Sequence, residues 1–379
     1  MKITDVRTTV VRGGGGQNWT FVHVDTDEGI SGLGEATLEG KTLTMVAAVD
    51  DLKRHLVGEN PLAIEHHWQR LYRHAFWRGG VVLNTAISGV EQALWDIMGK
   101  ALNVPVWQLF GGPTRQKIRA YANGPGGHTP DEVAESARQI VADGFTAMKL
   151  APTEAARLVE GPDLIRHADA RIGAIRKAVG MEVDIILDAH GRLSPATAIM
   201  LIDALKDYRI LFWEEPVLPE NTEALAKVAA HSVVPLATGE RLFTKWGFRE
   251  VCDRQLVSVI QPDLAHCGGI AEGRKIAAMA EASYIAVAPH NPYSPVNTAA
   301  SLHLDAAIPN FLIQEWIWRA PPWRDEIVSP PVRVVDGYFD LPQGPGLGIE
   351  LNTAVAATHP YEPADQPPLW HTDGSVADW

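Results

Sequence analysis

The chain reads as an α/β protein: a TIM-type (β/α)₈ barrel behind an N-terminal α+β capping domain. Two observations predict this. Six reactive side chains, Asp188, Glu214, Glu240, Asp263, His290 and Glu315, follow one another at intervals of 23 to 27 residues, about one strand–helix unit. Each closes an apolar run that reads as a strand: VDIILD, ILFWE, VPLATGE, LVSVIQPD, IAVAPH and FLIQE. Barrel enzymes carry their chemistry at the C-terminal ends of parallel strands, so this ladder predicts both the fold and its reactive face. The 379 residues suffice for a barrel of about 250 plus a smaller domain.

The first 35 residues read as strands. KITDVRTTVV and WTFVHVDT are rich in β-branched residues, and Asp27-Glu28-Gly29 supplies a turn before ISGLGEA. Gly13 to Gly16 read as a hairpin loop and not a phosphate cradle, because neither a helix start nor GK[ST] follows. Residues 41–110 turn helical; Leu83, Ile87, Val90, Leu94, Ile97 and Ala101 recur at threes and fours, the spacing of an amphipathic helix. Gly111-Gly112-Pro113 breaks the pattern and sets the expected end of the cap, residues 1–113.

Residues 114–320 carry the expected barrel. Its eight strands are expected to start near Ile118, Phe145, Val183, Ile210, Val234, Leu256, Ile285 and Phe311. Thr129-Pro130-Asp131-Glu132 has the form of a capping box with proline at the first helical position. Gly180 closes the next helix and Ser194-Pro195 opens another, with later starts near Thr222, Lys245, Gly269 and Thr298. The Pro- and Trp-rich segment 321–379 shows no strand–helix rhythm and is expected to wrap back onto the cap.

A net charge of −13 argues against nucleic-acid or membrane-surface partners, which need a basic face. It leaves room for an anionic substrate, since a bound divalent cation dominates its local field. The two cysteines, Cys252 and Cys267, form no CxxC and fit a reducing cytosol as buried thiols. The start, MKITDVRTTVVRGGGG, lacks the apolar core of a signal peptide, and no run of about 18 apolar residues occurs, so a cytoplasmic location is expected. No GxGxxG joins a strand to a helix, which weakens a dinucleotide-binding reading.

Asp188, Glu214 and Glu240 come from three successive strands. One acid at a strand end more often caps a helix or pairs with lysine. Three at near-equal spacing, without cysteine, make an oxygen-only site suited to Mg²⁺, one ion per subunit. His190 follows Asp188 by two, so both side chains can face one site if the strand persists. An aspartate such as Asp263 fixes the tautomer of a neighbouring histidine such as His290. Strands three and seven oppose each other in a barrel, so His190 and His290 are candidates for an acid and a base on either side of a substrate. The remaining histidines, among them His66, His67 and His371, read as surface residues.

At these residues the chain resembles the enolase superfamily in its mandelate racemase branch, and within it the D-galactonate dehydratases. The likeness is carried by Ile-Leu-Asp188-Ala-His190-Gly-Arg192, Trp213-Glu214-Glu215-Pro216, Ala237-Thr238-Gly239-Glu240-Arg241, Gln261-Pro262-Asp263-Leu264, Ala288-Pro289-His290 and Gln314-Glu315. It extends from the KIT opening through TDEG, Tyr72 to Gly80 and QALWDI to Pro368-Leu369-Trp370 and the closing SVADW. The resemblance implies that Asp188, Glu214 and Glu240 hold Mg²⁺, that His290 with Asp263 removes the C2 proton of a sugar acid, and that His190 protonates the departing C3 hydroxyl. Glu315 would bond the substrate carboxylate or the enediolate oxygen, and the product would be a 2-keto-3-deoxy acid. Lys149 and Trp19 are further candidates for touching the substrate. The resemblance also implies a homo-oligomer, dimer or octamer. Other readings are a dehydratase of gluconate, arabinonate or a longer acid, a sugar-acid epimerase or racemase, and a non-catalytic binding relative.

The chain departs from these relatives in places. Racemases of the branch commonly carry Lys-x-Lys where this chain has Lys149-Leu150-Ala151, so a second lysine base is absent. Pro262-Asp263 favours the galactonate type over mannonate dehydratases. Ala151 replaces an asparagine, and Asn291-Pro292-Tyr293 and the Gly13–Gly16 loop differ as well.

Overall fold

The computed structural model describes every residue except Gly15, Ala75 and Trp379. Gly15 of the glycine loop, Ala75 within the Tyr72–Gly80 stretch and the last residue of SVADW therefore lie outside the described residues.

Three antiparallel strands open the chain, β1 (Ile3–Gly14), β2 (Gln17–Thr26) and β3 (Ser31–Glu35), in the order β1-β2-β3. Helices α1 (Thr42–Lys53), α2 (Ile64–Arg73) and α3 (Val81–Leu102) and the one-turn α4 (Val106–Leu109) follow. β3 lies on α3 so closely that a Cβ on Gly32 would strike the Ala93 carbonyl and one on Gly34 the Gly89 carbonyl. Glycine there is a requirement of packing. The apolar face of α3, with Val90, Ala93, Leu94 and Ile97, shares a buried cluster with Val22 and Val24 of β2 and Met45 and Val49 of α1.

The barrel has eight parallel strands: β4 (Lys117–Asn123), β5 (Ala147–Leu150), β6 (Asp184–Asp188), β7 (Ile210–Glu214), β8 (Leu236–Thr238), β9 (Val259–Ile260), β10 (Ala286–Val287) and β11 (Gln314–Ile317). They pair in chain order from β4 to β10, and β11 pairs with β4. A parallel bridge between Val287 and Phe311 joins β10 to the segment entering β11 and closes the ring. Each observed start lies within three residues of the expected one.

Seven helices connect the strands: α5 (Pro130–Ala142), α6 (Pro162–Val179), α7 (Pro195–Leu205), α8 (Thr222–Ala229), α9 (Thr244–Asp253), α10 (Ile270–Ala282) and α11 (Pro295–Ala307). The capping box at Thr129 forms: Glu132 N donates to Thr129 Oγ1 at 3.3 Å, and Thr129 N donates to Glu132 Oε2 at 3.1 Å. Such a cap is worth about 1 kcal/mol. Helix α11 starts three residues before Thr298 because Ser294 Oγ caps it, accepting from Val296 N at 3.0 Å. β11 leads directly not into an α-helix but into a 3₁₀ turn, Pro322–Glu326, in a stretch rich in proline.

The rest of the chain forms β12 (Val328–Ser329), β13 (Tyr338–Asp340), β14 (Glu350–Leu351) and α12 (Thr353–Thr358). β13 pairs antiparallel with β4. Beyond α12 the chain meets the first hairpin: Arg12 N donates to His359 O at 2.9 Å and Asn18 Nδ2 to Glu362 O at 2.8 Å. Cys252 and Cys267 are buried and unbonded to each other. His67, expected at the surface, is buried, and its Nε2 meets the Asn60 carbonyl at 2.8 Å. Its place on the inner side of α2, beside the buried Trp68, explains the difference. No helix of the described residues is long and apolar enough to cross a membrane.

Candidate active site

Eight apolar side chains plug the barrel: Tyr121, Ala147, Ile186, Phe212, Ala237, Val259, Ala288 and Ile313, one from each strand or its immediate flank. Side chains alternate along a strand, so the residue two places further on faces the same interior. Those residues are Asn123, Lys149, Asp188, Glu214, Gly239, Gln261, His290 and Glu315. A polar layer thus rests directly on a dry one, at the C-terminal ends of the strands.

Asp188 and Glu214 end β6 and β7 and stand in register as neighbours. Glu240 enters two residues past β8. The three acids each offer an oxygen within 4.8 Å of the others. Lys149 Nζ stands among them, 2.8 Å from Glu214 Oε1, 3.0 Å from Glu315 Oε1 and 3.2 Å from Asp188 Oδ2. Burial opposes its charge, yet Glu214 and Glu315 hold the ammonium well above the ordinary lysine range. Burial and the neighbouring Asp188 push Glu214 well above the ordinary carboxylate range. Burial, aided by Asp188 and opposed by His290, brings Glu240 to about 7. Asp188 goes the other way: burial resists, but His190 and Lys149 keep it low.

These residues fit a hard divalent cation. Among the described residues, Glu214 Oε2 is buried without a partner, and Asp188 Oδ2 and Glu240 Oε2 have only longer ion-pair contacts, at 3.2 Å or more, with Lys149, His190 and His290. One lysine serves three converging acids, two of which burial keeps from ionising readily. Oxygen donors of this kind, with room for water and substrate oxygens, are what Mg²⁺ takes.

His290 lies three residues past β10. Its Nδ1 contacts Asp263 Oδ2 at 2.7 Å, and its Nε2 stands 3.5 Å from Glu240 Oε2. The other Asp263 oxygen accepts from Ala265 N at 2.7 Å, so the carboxylate is fixed at both ends. Burial lowers the His290 titration, but Glu240, Glu315 and Asp263 together carry it well above its usual value.

His190 lies past the end of β6 in a left-handed backbone conformation, φ 50°. Strand alternation therefore does not place it. Instead its backbone N–H donates to Asp188 Oδ1 at 2.9 Å, and its Nε2 lies 3.3 Å from Asp188 Oδ2. A non-glycine residue held at positive φ costs about 1–3 kcal/mol and is often found at functional sites. Burial, with Lys149 and Arg192 and against Asp188, depresses His190 to about 4.

Glu315 sits in β11. Its Oε1 accepts from Asn123 Nδ2 at 2.8 Å and its Oε2 from Asn291 N at 2.7 Å. Burial resists its ionisation, but Lys149 and His290 hold it below the usual range. The structure thus groups Asp188, Glu214, Lys149 and Glu315, and beside them Glu240, His290 and Asp263. Both histidines line one cavity of about 600 Å³ with Glu39, Glu240, His266 and Tyr293. Trp19 stays outside this group; its indole is buried against Phe21 and Trp323 and does not line the cavity. Asn123 and Gln261 were not singled out by the ladder, because neither is charged. Counting two residues on from each apolar plug residue would have found both.

Residues 4–111 match the family described as mandelate racemase / muconate lactonizing enzyme, N-terminal domain, and residues 132–355 match enolase C-terminal domain-like. The D-galactonate dehydratase of Ralstonia pickettii is 42% identical over 369 residues, 95% of this chain and 96% of that protein. That of Verminephrobacter eiseniae is 42% identical across 100% of both chains. Among solved structures, a mandelate racemase/muconate lactonizing enzyme from Jannaschia sp. CCS1 superposes with a TM-score of 0.89 at 37% identity, covering 96% of this chain and 98% of that one. A member of the enolase superfamily from Salmonella Typhimurium gives 0.90 at 33% identity, covering 95% and 98%. With both domains matched and the curled sheet closed by β11 as in a TIM-type barrel, the chain belongs to the enolase superfamily, in its mandelate racemase branch.

Proposed function

We propose that the chain is an Mg²⁺-dependent dehydratase of a sugar acid, with D-galactonate as the best single substrate, yielding a 2-keto-3-deoxy acid. The observation that carries this is a three-carboxylate cluster flanked by two histidines from opposed strands, one of them braced by a buried aspartate. The full-length likeness to enzymes named D-galactonate dehydratase supports the choice of substrate.

Asp188, Glu214 and Glu240 would hold the Mg²⁺, which when bound supplies Lewis acidity toward the substrate carboxylate and the charge that builds on it. Lys149 and Glu315 flank the same place, and Asn123 and Asn291 fix Glu315 so that it offers a directed acceptor. His290, with Nδ1–H turned to Asp263, presents the Nε2 lone pair to the C2 proton. Once Glu240's charge is engaged elsewhere, His290 loses one of the three acids that keep it protonated, and it can act as a base. His190 delivers a proton to the C3 hydroxyl, which leaves as water with the C3–O bonding pair. A bound substrate carboxylate adds the negative charge that raises His190 from about 4 toward a useful acid. The enol left behind tautomerises to the 2-keto acid, so the net change is loss of one water.

The test is incubation with a panel of aldonic and aldaric acids, with Mg²⁺ or after exhaustive chelation, and assay for 2-keto-3-deoxy acids. Metal-dependent product from an aldonate is expected. Undiminished turnover after chelation, or no product from any acid of the panel, would overturn the reading.

A further inference from the structure

Tyr293 marks a departure in the loop after β10, and its surroundings fix the state of its hydroxyl group. The residue is buried, lines the cavity, and packs its ring edge-on against His290, centroids 6.2 Å apart at 89°. Its Oη lies 2.7 Å from Nε2 of His266, and the other nitrogen of that ring, Nδ1, lies 2.7 Å from Thr85 Oγ1. Thr85 Oγ1 also contacts the Val81 carbonyl at 2.7 Å.

That chain of contacts has one consistent proton assignment. A carbonyl oxygen only accepts, so the threonine hydroxyl donates to Val81. Thr85 must then accept from His266, which places the histidine's hydrogen on Nδ1. Burial keeps His266 neutral, against the pull of Asp263. Its Nε2 therefore carries a lone pair, and Tyr293 donates its only hydrogen to it. The phenol oxygen is left with acceptor capacity alone, on a residue that lines the cavity next to His290.

We propose, resting on the sugar-acid reading above, that Tyr293 Oη accepts a hydrogen bond from a substrate hydroxyl beyond the two reacting carbons and so selects which sugar acid is taken. Thr85 and His266 act as positioning residues that turn the phenol into an obligate acceptor. Phenylalanine at 293 keeps the packing against His290 and removes only the oxygen.

The experiment compares calorimetric Kd values, with Mg²⁺ present, for D-galactonate and its 4-deoxy, 5-deoxy and 6-deoxy analogues, in the wild type and in Tyr293→Phe. The wild type is expected to bind D-galactonate roughly tenfold more tightly than one of the deoxy analogues, the scale of one neutral hydrogen bond. Tyr293→Phe should lose that preference to within about twofold while retaining the other two ratios. His266→Gln, which still offers the phenol an acceptor, should preserve the preference. Equal affinities for all four acids in the wild type would overturn the proposal without recourse to any variant. Survival of the preference in Tyr293→Phe would overturn it as well. Turnover is scored separately: a wild type that shows the preference but forms no keto acid refutes dehydration and leaves the role of Tyr293 standing.

Discussion

Replacing Asp263 by asparagine tests the assignment of the base most directly. The substitution keeps shape and is made at a fully buried site. One carboxylate oxygen accepts from Ala265 N and the other faces His290 Nδ1, both at 2.7 Å. An asparagine keeps its carbonyl on Ala265, where only an acceptor serves, and turns its NH₂ toward His290. Nδ1 must then accept, the imidazole hydrogen moves to Nε2, and the lone pair is lost from the face that meets the substrate. The charge is lost too. A carboxylate about 4 Å from an imidazolium contributes about 4 kcal/mol at an effective dielectric of about 20, or about a thousandfold in rate. Exchange of the C2 proton of D-galactonate with D₂O, followed by NMR, isolates this step from the loss of water. Asp263→Asn should slow exchange by about 10³ or more with little change in substrate affinity. A variant that exchanges within tenfold of the wild type would refute both the tautomer argument and His290 as the base.

Two further outcomes follow from groups at and away from the cluster. Lys149→Met leaves Asp188, Glu214 and Glu315 buried without their shared cation, so the metal-free variant should lose about 3–5 kcal/mol of stability. Mg²⁺ should raise its Tm by more than it raises that of the wild type; an equal Mg²⁺ response in denaturant or thermal melts would show that the lysine and the metal do not share these acids. The second concerns His303, buried in α11, whose Nδ1 accepts from Trp107 N at 3.2 Å and whose titration burial lowers from 6.5 to about 4. For a base depressed by folding, the unfolded chain takes up the proton first, so its stability contribution is whole above pH 6.5 and is lost as pH falls toward 4. The loss amounts to about 3 kcal/mol. His303→Gln, which keeps an acceptor for Trp107, should flatten the unfolding free energy against pH across that window; identical profiles for the two proteins would contradict it.

Much of this site was legible because its chemistry falls on strand ends. Asp188, Glu214, His290 and Glu315 are reactive residues that each close an apolar run, and hydrophobic runs broken at constant intervals need no tertiary information to be seen. Helix starts were readable where a side chain caps its own helix, as at Thr129 and Ser194. They slipped where two polar residues compete, as at Ser294 and Thr298. Contacts between elements far apart in sequence were not legible. The approach of Lys149 to three acids, the clamp of Asn123 and Asn291 on Glu315, and the run from Thr85 through His266 to Tyr293 join residues 24 to 192 positions distant whose types alone carry no signal. The burial of His67 was missed for the same reason: its neighbour Trp68 reaches across to the Gly268 carbonyl, 200 residues away, and holds that face of α2 inward.

The small irregularity of the ladder has a structural cause. Asp188, Glu214, His290 and Glu315 all lie two residues beyond an apolar plug residue, but Glu240 lies three beyond Ala237. The position that should carry the acid is Gly239, at φ 143°, where a Cβ would stand 2.8 Å from Gln261 N and 2.8 Å from the Phe248 ring. No side chain fits there, so β8 cannot place an acid by alternation. The backbone turns at the glycine instead, and the next residue swings its carboxylate back toward Asp188 and Glu214. Glu240 therefore reaches the cluster from a loop while its two partners reach it from strands, and it alone among the three keeps a partial exposure, 11% against at most 2% for the side chains of the others. The acid nearest the cavity is the one mounted on a turn, where it also meets His290 Nε2. A single glycine thereby brings the carboxylate cluster into contact with the proposed base.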